Sequence, residues 1–443
     1  MPAGLHHGEQ QYTAEQLAHW RQLQRAARGA DGGSDLSDDQ PDDLAPGGRI
    51  FCVSDIHTDH EVNMRWCQGL ARDGKYKRDA LIVAGDATAS KPLLEETFRH
   101  LQAAFAAVFF VVGNHDLWTK GRGTEGWHPS RNDSVKRLQD ILRLCEGMGV
   151  MTKPACAGGA IIAPIVSWHH QSWDTEPDIT GWKDIPPAEL CMMDYHLNVW
   201  PAPLDQKTDS VAAYMDGVND SANDLEATVR ALRTALPQAP LISFSHFVPH
   251  LALNPEKRYL NFPYLSKASG STFLAQRIAA LSPAAHVFGH THFGWDATLE
   301  DGTRYVQAPL AYPEERDRMT GLTGEKMPKT GPQEPLLLFD AAHGGFPPRY
   351  EAAWSNFYAK YPRRPDLTHM LPHYVADLYS RIPNQGEVGW IGRNARDLEG
   401  KPMDGPHGDA KPPIALGPNW PSHHFAENTA WVEHTKETYG RVA

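Results

Sequence analysis

Five short apolar runs in this chain each end in polar residues that can bind a metal ion. The first run, Arg49–Val53, leads to Asp55 and His57, and the second, Ala80–Ala84, leads to Asp86. Runs of this kind, rich in β-branched and aromatic residues and closed by Gly or polar residues, predict buried strands. Open α/β sheets build their sites beyond the carboxyl ends of strands. The pattern therefore predicts an α/β fold with a metal site at one edge.

Three further runs later in the chain repeat the pattern. Residues 108–112 lead into Gly113-Asn114-His115-Asp116, residues 241–245 lead into His246, and Ala285–Phe288 leads into Gly289-His290-Thr291-His292. Asp-x-His and a lone His often occur by chance in a chain with 23 His, but the two longer motifs are more specific. All five in series indicate a functional site rather than coincidence.

The ligand types predict which metals the site could bind. Asp55 and His57 are two residues apart, as are His290 and His292, and alternate residues of an extended chain point the same way. Asp86 is a lone carboxylate at a separate strand end and could bridge two ions. Nitrogen and oxygen ligands without thiolate suit Zn, Mn or Fe. Two such ions about 3.5–4 Å apart would favour displacement at phosphorus.

Length and composition are those of an ordinary globular protein. The chain has 443 residues, of which 41% are hydrophobic and 22% are charged. Its formal net charge of −12 argues against nucleic acid as a partner, because a phosphate backbone favours basic surfaces. The five cysteines show no metal-binding or redox spacing, so we expect buried thiols and a reducing compartment.

No targeting or membrane-spanning segment is evident. Residues 1–10 lack the charged and apolar regions of a signal peptide, and no apolar stretch reaches the roughly 20 residues of a transmembrane helix. We therefore expect a cytoplasmic protein without a membrane partner. The sequence does not indicate an oligomeric state.

The order of the patterns predicts three parts of the chain. Residues 1–48 are expected to form a helix and an acidic linker. Residues 49–345 are expected to form the α/β domain, with a long insertion at 167–220. Residues 346–443 are expected to form a helical extension and a Pro/Gly-rich tail. Helical patterns occur at 13–28, 91–107, 134–146, 225–236, 272–281, 350–361 and 371–382.

Several polar residues outside the five motifs have both a functional and a structural interpretation. Trp168-His169-His170 opens the insertion and either lines a substrate pocket or packs at the edge of a subdomain, which we favour slightly. Lys257-Arg258 could contact a phosphate, but exposed charge is the commoner explanation. Asp194 and His196 repeat the Asp-x-His spacing without a strand before them, so we discount them as ligands.

Together, the motifs resemble those of the calcineurin-like metallophosphoesterase superfamily over roughly residues 49–340. The resemblance implies a four-layer α/β/β/α sandwich, in which two sheets pack face to face between helices. Periodicity alone does not predict the second sheet. The stretches 245–249, 255–258 and 305–313 look like a plant and algal branch of the superfamily.

The resemblance also implies a role for each motif residue. One divalent or trivalent ion would be held by Asp55, His57 and His292, the other by Asn114, His246 and His290, with Asp86 bridging them. His115 would neutralise a phosphate oxygen and protonate the leaving group, and Asp116 would orient it. A water held by the ions would attack phosphorus.

Departures from better-known branches of the superfamily narrow the expected reaction. Gly85-Asp86 is followed by Ala-Thr-Ala-Ser instead of Asp-Arg-Gly, which disfavours a protein phosphatase, and Ala89 replaces the Tyr of purple acid phosphatases. We therefore predict hydrolysis of a small phosphomonoester or phosphodiester. The alternative is a catalytically silent, metal-stabilised binding or scaffold module. A site plugged by the insertion would favour that alternative.

Overall fold

A computed structural model describes residues 48–121, 123–128, 132–222, 224–316, 334–376, 378–382 and 390–391. The helix predicted at 13–28 and the C-terminal tail beyond 391 lie outside these residues. The strands are β1 Arg49–Val53, β2 Ala80–Ala84, β3 Ala107–Val111, β4 Ala155–Ala157, β5 Ala160–Pro164, β6 Trp182–Lys183, β7 Leu241–Phe244, β8 Ala285–Phe288, β9 Trp295–Thr298, β10 Arg304–Gln307, β11 Leu336–Asp340, β12 Leu371–Pro372, β13 Ser380–Arg381 and β14 Trp390–Ile391. The α-helices are α1 Glu61–Gly69, α2 Lys91–Ala104, α3 Ser134–Met148, α4 Ala188–Cys191, α5 Asp194–Leu197, α6 Ser210–Ser221, α7 Leu225–Ala235, α8 Thr272–Leu281, α9 Pro313–Arg316, α10 Ala353–Lys360 and α11 His373–Ala376.

Two sheets form the centre of the molecule. The first has four strands in the order β11-β1-β2-β3, of which β1, β2 and β3 are parallel. The second has six strands in the order β4-β5-β7-β8-β10-β9, of which β5, β7, β8 and β10 are parallel. Strands of both sheets contribute to one continuous hydrophobic core. The mixed α/β fold with two sheets that the resemblance implied is confirmed.

Helices accompany both sheets and cover their apolar strands. All five residues of β2 and of β3 are buried, as expected for parallel strands with both faces covered. Helix α2 packs against β3 and buries Leu94, Phe98 and Leu101, which lie on one helical face. Helix α7 packs against β5 of the second sheet. Strands made entirely of apolar residues are stable here because helices shield them from water.

The strand ends that carry the motifs agree closely with the predicted ones. Strands β1, β2 and β8 have the predicted bounds, β3 begins and ends one residue earlier than predicted, and β7 ends at Phe244. Backbone hydrogen bonds then join the loops beyond these ends. The N–H of Asp55 donates to the carbonyl of Gly85 at 3.1 Å, and the N–H of Gly289 donates to the carbonyl of His246 at 2.8 Å. The polar motifs consequently meet on one side of the molecule.

Two predicted helices differ from the observed elements. Helix α3 continues through Gly147 to Met148, and it is capped by Gly149, whose φ of 74° is left-handed and typical of a helix C-terminus. Residues 371–382, predicted as one helix, form β12, the short helix α11 and β13 instead. Pro372 favours an extended residue before it, and Ser380–Arg381 pairs with β6, so neither end can join a helix.

The insertion at 167–220 is a folded part of the molecule and not an open loop. It contains β6, α4, α5 and most of α6. Trp168 and Trp173 are buried in the main core, in agreement with the favoured interpretation that this stretch packs. Because β6 pairs with β13, the insertion is also joined to the C-terminal extension.

The expectation that Lys257 and Arg258 are exposed is wrong, because both are buried in ion pairs. Lys257 Nζ lies 3.0 Å from Asp174 and 2.8 Å from Asp178, two carboxylates of the insertion. Arg258 Nε lies 2.5 Å from Glu256. A buried cation requires such partners, because removing an unpaired charge from water is costly. Lys257 therefore helps to attach residues 255–258 to the insertion, whereas the Arg258 pair lies within that segment.

The structure shows the burial of the cysteines and the length of the described helices. Four of the five cysteines are buried, and Cys191 is partly exposed. Burial raises the pKa of the Cys67 thiol to about 12, so this thiol stays protonated and unreactive at neutral pH. Among the described helices, none is both long enough and apolar enough to cross a bilayer.

Candidate metal centre

Four of the predicted ligands form a compact group, here called the first cluster: Asp55, His57, Asp86 and His292. All four are buried, and one potential ligand atom of each lies within 4.8 Å of the others. The Nε2 atoms of His57 and His292 are 3.0 Å apart. Two nitrogens bound to one octahedral ion at about 2.1 Å would also lie about 3 Å apart. The first cluster therefore has the donor atoms and the spacing of a metal site.

The other three predicted ligands meet Asp86 from the opposite side and form, together with it, the second cluster: Asn114, His246, His290 and Asp86. Asn114 Oδ1 lies 2.9 Å from both His246 Nε2 and His290 Nδ1. Asp86 Oδ2 lies 3.4 Å from His246 Nε2 and 3.9 Å from His57 Nε2. One oxygen of Asp86 thus faces both clusters, where a single carboxylate can serve two ions.

Three of the candidate ligand imidazoles are oriented by hydrogen bonds at their outer nitrogens. These bonds join His246 Nδ1 to the Ala84 carbonyl at 2.9 Å, His290 Nε2 to the Ala268 carbonyl at 2.9 Å, and His292 Nδ1 to Glu315 Oε2 at 2.6 Å. Metal-binding imidazoles usually donate their second N–H to a carbonyl or carboxylate in this way. A ring held in this way can present the lone pair of its other nitrogen to a bound ion once that nitrogen is deprotonated. The residues present therefore fit bound metal ions.

The backbone at the site adopts conformations that are uncommon for residues with a side chain. Positive φ values occur at Asp55 (54°), His57 (44°), Asp86 (55°), His290 (77°) and His292 (56°). Such residues concentrate at functional sites, where the surrounding structure holds them in place. A Cβ at Gly85 would strike the ring of His246, and one at Gly113 would strike the carboxylate of Asp86. These two motif glycines therefore allow the clusters to close.

Burial and neighbouring charges determine the protonation of the clusters. Burial alone would raise the pKa of Asp86, but the positive charges on His246 and His115 lower it well below its usual range. Burial also disfavours charge on His246, yet the carboxylate of Asp86 raises the pKa of that imidazole to about 9. Burial and the charge on His246 lower the pKa of His290 to about 3. Asp86 is thus an anion, and the imidazole of His290 is neutral.

His115 lies beside the clusters and lines the adjoining cleft. Its Nε2 is 3.9 Å from Asp86 Oδ2 and 3.2 Å from the hydroxyl of Tyr312. Its ring packs on Trp118, with centroids 3.6 Å apart, and against the edge of His57 at 4.7 Å. Aromatic rings therefore fix the imidazole from two sides. It lies close to the candidate ligands, but its hydrogen-bond partner is Tyr312.

The carboxyl group of Asp116, predicted to orient His115, accepts hydrogen bonds from the backbone of two loops. Its Oδ1 accepts hydrogen bonds from the backbone N–H groups of Ala87 and Thr88, and its Oδ2 accepts them from Asp86 and Gly113. Both oxygens are thus occupied by the backbone, because the loops after β2 and β3 run side by side here. Burial and the charge on Asp86 raise the pKa of Asp116 to about 7. The carboxyl group joins two motif loops instead of contacting the ring of His115.

Sequence reasoning missed three residues at this site: Tyr312, Glu315 and Asp194. The first two follow β10, a further parallel strand of the second sheet, so the same strand-end rule could have found them. Asp194 was discounted because no strand precedes it. It lies at the start of α5 in the insertion, and its Oδ1 accepts a hydrogen bond from Asn114 Nδ2 at 2.9 Å.

Replacing Glu315 by Ala is expected to weaken Mn²⁺ binding about 10- to 100-fold, the usual cost of losing a partner behind a metal ligand. The reason is that His292 Nδ1 loses its acceptor at 2.6 Å, so the ring no longer has a fixed orientation. The measurement is Mn²⁺ affinity by competition with a chelator. The matched control is Glu314→Ala, which removes the same charge from an exposed neighbour. Equal losses in both variants would mean that net charge alone is responsible.

A cleft with one polar and one apolar side adjoins the clusters. Its polar end includes Asp86, Asn114, His115, His290 and His292. Its apolar wall includes Met192, Met193, Leu260, Phe262, Leu265 and Phe293. No Lys or Arg occurs among the described residues that line it. The insertion contributes part of the wall and leaves the metal side open, so the plugged site that would favour a silent scaffold is not observed.

Comparison with known proteins gives a family match and a relative. Residues 48–199 match the family model of the calcineurin-like phosphoesterases. The chain is 26% identical over 282 residues to an [acyl-carrier-protein] phosphodiesterase, PptH, of Mycobacterium tuberculosis (strain ATCC 25618 / H37Rv), covering 60% of this chain and 78% of the relative. It is also similar to the crystal structure of phosphopantetheinyl hydrolase (PptH) from the same organism, with 23% identity and a TM-score of 0.46, covering 65% of this chain and 98% of the other.

Proposed function

We propose that this chain, whose residues 48–199 match the calcineurin-like phosphoesterases, is a phosphoester hydrolase that uses two metal ions bridged by Asp86. Metal dependence follows from the family and from the buried Asp and His residues of the first cluster. The observation that supports two ions is the position of Asp86 Oδ2, which faces His57 in one cluster and His246 in the other. When bound, such ions activate a water and stabilise the negative charge that develops at phosphorus.

The proposed ligands divide between the two ions as the clusters do. One ion would have Asp55, His57 and His292, the other would have Asn114, His246 and His290, and both would share Asp86. Three imidazoles have their outer nitrogens held, so they need little reorganisation to bind. Neutral nitrogen and anionic oxygen donors in this proportion suit Mn, Zn or Fe.

We assign the acid–base step to His115. It lines the cleft, is not needed as a ligand in either cluster, and lies 3.9 Å from the shared oxygen of Asp86. A proton on this imidazole can pass to the oxygen of the leaving group as the bond to phosphorus breaks. Tyr312 supports the ring through its hydroxyl, and Asp116 supports it indirectly by joining the two loops that flank it.

The cleft favours an ester whose organic group is uncharged and partly apolar. The described lining contains Met, Leu and Phe side chains and the amides of Asn254 and Asn261, but no cation to bind additional phosphates. A more specific candidate is a phosphodiester that links a phosphopantetheinyl group to a carrier protein. It is supported by the name of the relative, an [acyl-carrier-protein] phosphodiesterase, and by this neutral wall, which suits a long uncharged arm.

The function is tested by a substrate panel on protein loaded with Mn, Zn or Fe, with metal content measured on the same preparation. The panel includes 4-nitrophenyl phosphate, bis(4-nitrophenyl) phosphate, ATP and an acyl-carrier protein that bears phosphopantetheine. We expect metal-dependent hydrolysis, with esters of uncharged groups cleaved faster than ATP. If no metal and no ester gave activity above that of His115→Ala, the proposal would be wrong. Faster cleavage of ATP would contradict the assignment of the cleft.

A further inference from the structure

The insertion reaches the metal centre through one completely buried carboxylate, Asp194. Asp194 Oδ1 accepts hydrogen bonds from Asn114 Nδ2 at 2.9 Å and from Trp118 Nε1 at 2.7 Å. Asp194 Oδ2 lies 3.2 Å from His169 Nε2, another buried group of the insertion. The two oxygens therefore join a proposed ligand, the indole beside His115 and the interior of the insertion.

The first consequence concerns the direction in which the amide of Asn114 points. Its Oδ1 faces His246 Nε2 and His290 Nδ1, whereas its Nδ2 faces Asp194. If the amide turned over, an NH₂ group, which has no lone pair available for a cation, would face the second cluster. An ionised carboxylate only accepts hydrogen bonds, so Asp194 stabilises the one orientation in which the oxygen of Asn114 faces the ion.

The second consequence concerns the position of His115. The indole of Trp118 has a single N–H donor, and that donor is directed at Asp194. The Trp118 ring packs on His115 with a centroid distance of 3.6 Å. A shift of the carboxylate would therefore move both a ligand of the second cluster and the ring against which the proposed acid packs.

The backbone around Asp194 fixes its carboxylate relative to these groups. The carbonyl of Leu197, at the end of α5, accepts hydrogen bonds from the N–H groups of Thr119 and Lys120 at 3.0 and 3.1 Å. Asn198 Nδ2 donates to the carbonyl of Leu117 at 2.9 Å. Helix α5 is thus attached along residues 117–120, directly after the motif that contains Asn114 and His115.

We propose that Asp194 is a positioning residue for the second metal ion and for His115, and that supplying it is a function of the insertion. The inference rests on the proposed two-ion function. Asp194 contributes no ligand atom to the first cluster and reaches the second through its hydrogen bond from Asn114 and through His169, whose ring stacks on His290. Its effect is therefore expected on one of two ions, a result that a general loss of stability would not produce.

The test counts Mn²⁺ ions bound per chain, by equilibrium dialysis with elemental analysis, and so needs no substrate. Wild type is expected to bind two ions. Asp194→Leu fills the space without an acceptor, and Asp194→Glu keeps the charge but displaces the carboxylate. Both variants should bind one ion at wild-type affinity and the second ion at least about 10-fold more weakly, the usual cost of losing such a partner.

Two further variants separate positioning from stability. Asp194→Asn keeps an oxygen that can accept from Asn114 and Trp118, and His169 can change tautomer to accept from the new amide, so it should retain both ions within about 3-fold. Asn219→Ala removes a buried side chain of the insertion that bonds to the backbone of Val166, two residues beyond β5, and not to Asn114 or Trp118. It should leave both ions bound.

The outcomes distinguish the inference from the function on which it rests. Two full-affinity ions in both Asp194→Leu and Asp194→Glu would overturn the inference while leaving the two-ion proposal intact. An equal loss in Asn219→Ala would also overturn it, because the insertion would then act only through general stability. A single ion in the wild type would contradict the two-ion proposal itself, and the inference would fall with it. Unfolding temperatures of all variants show whether each is folded.

Discussion

Replacing Asp86 by Asn is expected to remove most of the metal and lower kcat/KM by at least about 10³-fold. The ions are expected to contribute several kcal/mol of transition-state stabilisation, and each 1.36 kcal/mol corresponds to a factor of ten in rate. Asp86 Oδ2 is the atom that faces both His57 Nε2 and His246 Nε2, at 3.9 and 3.4 Å, so losing its charge weakens both clusters. The measurements are metal content and steady-state hydrolysis on the same preparation.

The matched control for Asp86 lies at the other end of the same strand. Asp79 directly precedes β2, is buried, and pairs with Arg49 at 2.7 Å. Asp79→Asn therefore makes the same chemical change far from the clusters and should leave metal content unchanged. If Asp79→Asn lost as much metal as Asp86→Asn, the loss would come from a disturbed sheet and not from a missing ligand. Full metal content in Asp86→Asn would contradict its assignment as the bridging carboxylate.

The parts of this site that sequence predicts are those set by local rules. Asp55 and His57, and likewise His290 and His292, follow strands whose apolar runs are unambiguous, so both the strand and its terminal residues can be identified. Parallel strands bring their carboxyl ends together within a sheet, so the rule places the ligands after β1, β2 and β3 together and those after β7 and β8 together. The second sheet is different, because pairing between distant strands leaves no periodic signal, and only the resemblance indicated it.

The residues that escaped prediction act across long sequence separations. Asp194 lies 80 positions from Asn114, and Glu315 lies 23 positions from His292. Neither contact has a sequence spacing that marks it. Asp116 shows a related difficulty. The sequence motif identifies this residue, but its four backbone hydrogen-bond donors depend on how two loops pack. Side chains that support ligands therefore require the tertiary structure, whereas ligands at strand ends do not.

Replacing His115 by Ala is expected to lower kcat about 10²- to 10⁴-fold, the usual contribution of a general acid, while both ions remain bound. The loss should be largest for esters with poor leaving groups, such as alkyl phosphates. It should be smaller for 4-nitrophenyl esters, because 4-nitrophenolate leaves without a proton. The measurement is kcat for both ester types, together with metal content.

The control for His115 is His60→Ala, another imidazole near the site. The His60 ring centroid lies 5.3 Å from that of Tyr312, and the side chain is partly exposed outside both clusters. This variant should keep nearly full activity on both ester types. An equal loss on good and poor leaving groups in His115→Ala, with metal retained, would mean that His115 stabilises the phosphoryl group and does not deliver the proton. Loss of a metal ion in that variant would instead assign His115 to the ligands, which its contact with Tyr312 at 3.2 Å argues against.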